Sequence, residues 1–114
     1  MKDCLFCQIV AGEIPAKVVA ESDTSLAFYD IAPQAPVHVL VIPKRHYSGV
    51  NDVTESEQRV FDDLLSLVRE VVVDEDIKES GYRLVFNVGE DGQQTVAHLH
   101  VHVLGGRKMA WPPG

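Results

Sequence analysis

Cysteine is nearly missing from this 114-residue chain, with only Cys4 and Cys7 present, too close together to staple a small secreted fold. That scarcity points to a reducing compartment. Long apolar runs are missing too, since no stretch approaches the roughly 20 residues that span a bilayer. Met1-Lys2-Asp3 leads into a helix-like segment without the apolar core of a signal peptide. The expectation is a cytoplasmic protein with no membrane association. Basic residues are in deficit, 10 Lys and Arg against 17 Asp and Glu for a net charge of −7. No basic stripe remains to displace counterions from a long polyphosphate backbone, so extended nucleic acid is excluded and a single nucleotide stays open. Internal repeats, low-complexity tracts and linkers are absent as well. The 46% hydrophobic content supplies one core, and residues 1–114 read as a single domain.

The pattern of what is present is α+β. Asp3 is a suitable N-cap for a short helix ending at Ile9 or Val10, with Gly12 and Pro15 as its stop. Val18–Glu21 and Ser25–Asp30 form a hairpin about a Ser22-Asp23-Thr24 turn. Val37–Ile42, apolar except for His38, reads as a buried central strand. Thr54 and Glu57 make a capping box ahead of a long helix whose apolar positions run from Val60 to Val72. Its end is expected near Asp74-Glu75-Asp76, because negative charge opposes the helix dipole there. Tyr82–Val88 and Val96–Leu104 complete five antiparallel strands, joined by the loop GEDGQQT.

The last of these segments, HLHVHVLGG, carries three of the five histidines at every second position. In an extended strand His98, His100 and His102 share one face, and Leu99, Val101 and Val103 share the other. Their backbones place His98 and His102 roughly 13 Å apart, so the three divide their labour. A catalytic zinc would need a third ligand from His38 or His46, and neither an HExxH helix nor an adjacent carboxylate supports it. A nucleophilic imidazole asks less: one free nitrogen, a backbone carbonyl to fix the tautomer, and donors for phosphate oxygens. Gly89, Gly92, Gln93, Gln94 and Thr95 precede the histidines as a small-residue, amide-rich loop, which also fits a plain hairpin turn.

HLHVHVL fits the His-x-His-x-His-x-x signature, with x apolar, of the histidine triad (HIT) superfamily. FCQIVAGEIPAKVV, LAFYDIAPQAPVHVLVIPKRH and LGGRKMAWPPG extend the resemblance over nearly the whole chain and are similar to the Hint branch, the nucleoside phosphoramidate hydrolases. The resemblance implies a HIT-like fold, with two five-stranded sheets joined into ten strands in a homodimer. It also implies a purine nucleotide substrate (AMP- or GMP-like) and catalysis without a required cofactor. His100 is implied as the nucleophile that takes up a nucleoside monophosphate, His102 as the partner that assists the leaving group. His98 and His38 are implied as the supporting pair, the His98 carbonyl orienting His100. Asn87, Gln94 and Thr95 match phosphate-side or leaving-group contacts, Asp30 the ribose carboxylate, and Phe6, Ile9, Ile14 and Ile31 the purine slot. Trp111 matches a residue that reaches the neighbouring subunit, and by composition alone it fits equally a cap on its own core. Gln93 stands where Hint proteins commonly have a second glycine, which bears on leaving-group preference.

Cys4, Cys7, His46 and His98 are a complete tetrahedral ligand set, although their intervals are far longer than zinc-finger spacing. Some bacterial HIT proteins hold a structural zinc at matching positions, and His98 would then serve as a ligand. The alternative is two buried thiols on a short helix and an exposed His46. The open functional alternatives are a dinucleoside polyphosphate hydrolase with the same nucleophile, a metal-dependent hydrolase, and a non-catalytic nucleotide-binding or partner-binding protein.

Overall fold

The computed structural model describes residues 3–114. Met1 and Lys2, on which the expected leaderless start partly rests, lie outside the described residues. Strands β1 (Val18–Glu21), β2 (Ser25–Tyr29), β3 (Val37–Pro43), β4 (Tyr82–Val85) and β5 (Val101–Gly105) form one antiparallel sheet in the order β1-β2-β3-β5-β4. Helices α1 (Leu5–Val10) and α2 (Arg59–Asp74) complete the expected α+β architecture. The apolar run of β3 does lie at the centre of the sheet, because only a strand covered on both faces buries consecutive side chains. Among the described residues no helix is long and apolar enough to cross a membrane.

Strand pairing sorts the chemistry between two faces. Val39 opposite Val103 and Val41 opposite Val101 point to one side, where Leu64, Leu67, Val68, Val71 and Val72 of α2 cover them. Leu40 and Ile42 point to the other side and pack with Leu26, Phe28, Phe6 and Cys4. His102 lies opposite Leu40, so alternation puts His38 and His102 on this second, α1-covered side.

Helix ends depart from expectation in detail. Cys4, not Asp3, caps α1, its sulfur accepting the Cys7 N–H at 3.3 Å. The Thr54–Glu57 capping box is present but closes a single 3₁₀ turn, Glu55–Glu57, and α2 starts at Arg59. At the other end Asp76 adopts φ 57°. Its N–H bonds to the Val73 carbonyl (3.1 Å), and that of Ile77 bonds to the Val72 carbonyl (3.0 Å), a Schellman ending that buries Ile77 against the core.

The largest departure concerns the histidine segment. β4 stops at Val85 instead of Val88, and β5 begins at Val101 instead of Val96. His98 and His100 therefore precede the strand, and only His102 lies within it. The cause is local: the Leu99 N–H bonds to the Tyr47 carbonyl (2.6 Å) and Gln94 Nε2 to that of Ser48 (2.7 Å), which draws residues 94–99 off the β4 ladder. The three side chains do not share a solvated face. His98 and His100 are buried, and His102 is half-buried.

Candidate active site

Each of the histidines has defined partners. His100 Nδ1 lies 2.7 Å from the His98 carbonyl oxygen, which can only accept, so in the neutral ring the Nδ1 carries the proton and Nε2 the free lone pair. Phe6 meets the same ring edge-on at 5.2 Å between centroids, fixing its plane. A second chain starts at the Gln34 N–H, which donates to His38 Nδ1 at 3.0 Å. Neutral His38 must then carry its proton on Nε2, which sits 2.8 Å from His102 Nδ1 and 3.5 Å from Asp30 Oδ2. His102 in turn accepts at Nδ1 and carries its proton on Nε2.

Electrostatics keep this chain neutral. Burial pushes His38 below the ordinary imidazole range, with Asp30 opposing. Burial first, then His100 and His38, push His102 down to about 4, again against Asp30. The rings of His100 and His102 are 5.1 Å apart. The site thus presents an imidazole with a free lone pair next to an imidazole with an N–H. Asp30, His38 and His102 also cluster closely enough to suggest a metal. The 2.8 Å nitrogen separation is that of an N–H···N bond, however, shorter than the roughly 3.3 Å between two nitrogens on one tetrahedral zinc.

Phe6, whose ring meets that of His100, also lines an apolar cavity of about 320 Å³ together with Ile9, Ile14, Asp30, Ile31 and Thr95 among others. The structure so brings together all four apolar residues of the expected purine slot with Asp30. Phe6 is at once a core residue and a wall, whereas Ile31 is fully exposed at the rim. One Asp30 oxygen accepts the Ala32 N–H at 2.8 Å, a turn that fixes the carboxylate where two cavities meet. Thr95 is exposed beside the slot. Asn87 and Gln94 spend donors on backbone carbonyls: Asn87 Nδ2 on that of Gly92 within the loop (2.8 Å), Gln94 Nε2 on those of Ser48 in a distant segment (2.7 Å) and Val96 (3.1 Å). Gln93 takes φ 62°, the left-handed backbone that a glycine would adopt freely. Trp111 is 81% exposed, so it does not cap its own core. It stands over the Arg83 guanidinium (5.9 Å) at the β4 edge, and Arg83 Nη2 holds the Ala110 carbonyl at 2.8 Å.

Sequence reasoning missed Gln34, Pro43 and Tyr47, which act through backbone groups that leave no side-chain signature. The Pro43 carbonyl lies 2.8 Å from His98 Nε2, leaving Nδ1 to face the two sulfurs. Cys4, Cys7, His46 and His98 offer one ligand atom each within 4.8 Å of one another. Nδ1 of His46 and of His98 are 3.2 Å apart, and the nitrogen–sulfur separations are 3.3 to 3.5 Å. Zinc bonded at about 2.0–2.1 Å to nitrogen and about 2.3 Å to sulfur would need edges of about 3.3 and 3.5 Å, so the four residues fit it. Burial and the adjacent Cys4 raise the Cys7 thiol, a cost that a divalent cation would reverse.

The family model described as the HIT domain matches residues 11–109. The chain belongs to the HIT domain family. This HIT protein is 50% identical over 113 residues, 99% of its length and 98% of the other's, to a HIT-like protein of Synechococcus elongatus. Among solved structures it is similar to a HIT family hydrolase from Legionella pneumophila, at 51% identity and TM-score 0.94 over 97% of this chain and 99% of that one. A histidine triad protein from Clostridium difficile gives the same TM-score at 39% identity over 96% of both chains. The HIT fold is thereby established, and the neighbours point to a hydrolase.

Proposed function

We propose that this HIT protein hydrolyses purine nucleoside phosphoramidates, cleaving the P–N bond of AMP-amine substrates through a nucleotidyl-histidine at His100. The observation that carries the reading is the opposed protonation of the two neighbouring rings, a lone pair on His100 Nε2 and a proton on His102 Nε2. The slot takes the purine, Asp30 accepts from the ribose hydroxyls, and Thr95 and Asn87 lie on the phosphate side. Gln94 holds the loop that frames it.

The His100 Nε2 lone pair attacks the α-phosphorus, and the P–N bond to the amine breaks. Forming the new bond places positive charge on His100, which lowers the proton affinity of His102, 5.1 Å away, as the leaving nitrogen needs a proton. His102 supplies it from Nε2, His38 shares its own proton with Nδ1, and a neutral amine departs. Water then attacks the phosphorus and returns a proton to His102. The P–Nε2 bond breaks, releasing AMP and regenerating the pair.

The reaction so written uses no metal. Zinc held by Cys4, Cys7, His46 and His98 would have a structural task, tying α1 to the histidine segment. The whole chain is read as one HIT domain acting as a homodimer through the β4 edge, where Tyr82, Leu84 and Trp111 are exposed. The free thiols favour the cytoplasm. The test is relative turnover. An adenosine phosphoramidate should be cleaved far faster than diadenosine polyphosphates, and the rate should persist with a chelator as long as the fold does. The reverse preference would assign the dinucleoside polyphosphate reaction instead.

A further inference from the structure

The relay from His38 to His102 works in the direction described only if His38 Nδ1 is an acceptor, and one backbone N–H, that of Gln34, makes it so. Gln34 belongs to the turn between Asp30 and β3, with no strand or helix of its own to hold it. Besides the Asp30 N–H to the His38 carbonyl at its neck (3.0 Å), three side-chain hydrogen bonds hold the turn. Asp30 Oδ1 accepts the Ala32 N–H at 2.8 Å, Gln34 Nε2 donates to the Ala32 carbonyl at 3.0 Å, and Arg107 Nη2 donates to the Gln34 carbonyl at 3.0 Å. The first two are internal to the turn. Arg107 alone of these links reaches it from another part of the chain, 73 residues away.

Arg107 gets there through the exit of β5. Gly105 pairs with Val37 at the start of β3, and Gly106 follows at φ 88°, packed so closely that a Cβ would lie 2.8 Å from Pro36 Cβ. That turn sends the chain back over the Pro33–Pro36 segment and lays the guanidinium on the Gln34 carbonyl. We infer that Arg107 is a positioning residue for the reaction: by clamping Gln34 it fixes the tautomer of His38 and, through it, the proton-bearing nitrogen of His102. Arg107 donates to the Gln34 carbonyl (3.0 Å) and the Lys108 carbonyl (3.4 Å) and to none of the histidines. Its effect travels along four groups in series, guanidinium, Gln34 backbone, His38 and His102.

This inference rests on the hydrolase reading for its kinetic consequence but not for its structural one. Long-range proton–nitrogen spectra of the histidine rings report protonated nitrogens directly. In the wild type both His38 and His102 should be protonated at Nε2. Arg107→Ala, and Gln34→Pro, which deletes the N–H outright, should give His38 a visible Nδ1-protonated population. Arg107→Lys, which keeps a donor of similar reach, should restore most of the wild-type pattern. With adenosine phosphoramidate, Arg107→Ala should lower kcat roughly tenfold at nearly unchanged KM, because only proton delivery is disturbed. Unchanged tautomers in Arg107→Ala, with amide spectra of a folded protein, overturn the inference, whether or not Gln34→Pro folds. A wild type that cleaves no phosphoramidate overturns the hydrolase reading instead, and the ring spectra still decide the clamp.

Discussion

At the scale of single residues, the site depends on imidazoles that stay uncharged. His102, lowered from 6.5 to about 4 chiefly by burial, resists protonation in the fold while the unfolded chain takes its proton near pH 6.5. Stability supplied by this group is therefore complete above pH 6.5 and lost as pH falls towards 4, by about 1–2 kcal/mol once solvent screening of the half-buried ring is taken into account. His38 shifts in the same direction. Denaturant titrations across that window should show the loss in the wild type and a clearly smaller one in His102→Gln. Gln93 offers a second test. Its left-handed backbone, φ 62°, costs an ordinary residue about 1–2 kcal/mol, partly offset by the greater freedom of glycine in the unfolded chain. Gln93→Gly should stabilise the protein by about 0.5–1 kcal/mol, and a change in the relative rates of different amine leaving groups would show that this side chain faces the departing group.

Among the elements, α1 is the most dependent on its neighbours. It is 6 residues long, is capped by a sulfur and has Phe6 as its only buried side chain, too little to hold a helix on its own. Removing metal from the isolated protein with a strong chelator should release about one zinc per chain, and Cys7→Ser should prevent its uptake. Both should lower the melting temperature, and metal analysis with calorimetry checks this. The elements were unevenly legible in the sequence. β3 and α2 announced themselves through a continuous apolar run and a 3.6-residue period, since burial on two faces or one imposes those patterns. The histidine alternation looked like a strand from Val96 onward, yet two backbone-directed bonds, Leu99 to Tyr47 and Gln94 to Ser48, take its first half off the sheet. Period two marks extended chain, and only a partner's free edge makes extended chain a strand. The four ligands of the Cys/His cluster were legible as residue types but not as neighbours, because the fold brings together Cys4 and His98 across 94 positions.

For the molecule as a whole, the exposed β4 edge carries Tyr82, Leu84 and, beside it, Trp111, an arrangement that a lone protein would be expected to blunt with charge. Sedimentation should find a dimer, and Leu84→Lys should shift it towards monomer while leaving the circular dichroism of the fold intact. A wild-type monomer at micromolar concentration would remove the ten-stranded sheet from the account. The sequence resemblance and the HIT fold fix the architecture; the chemistry rests on the free lone pair of one ring. The most direct measurement is intact-mass and peptide mapping of His102→Ala mixed with adenosine phosphoramidate and quenched early. One adenylyl group should appear on the peptide containing His100, located on that imidazole and missing from His100→Ala. Product formation with no adduct at any time, or an adduct on another residue, would contradict it.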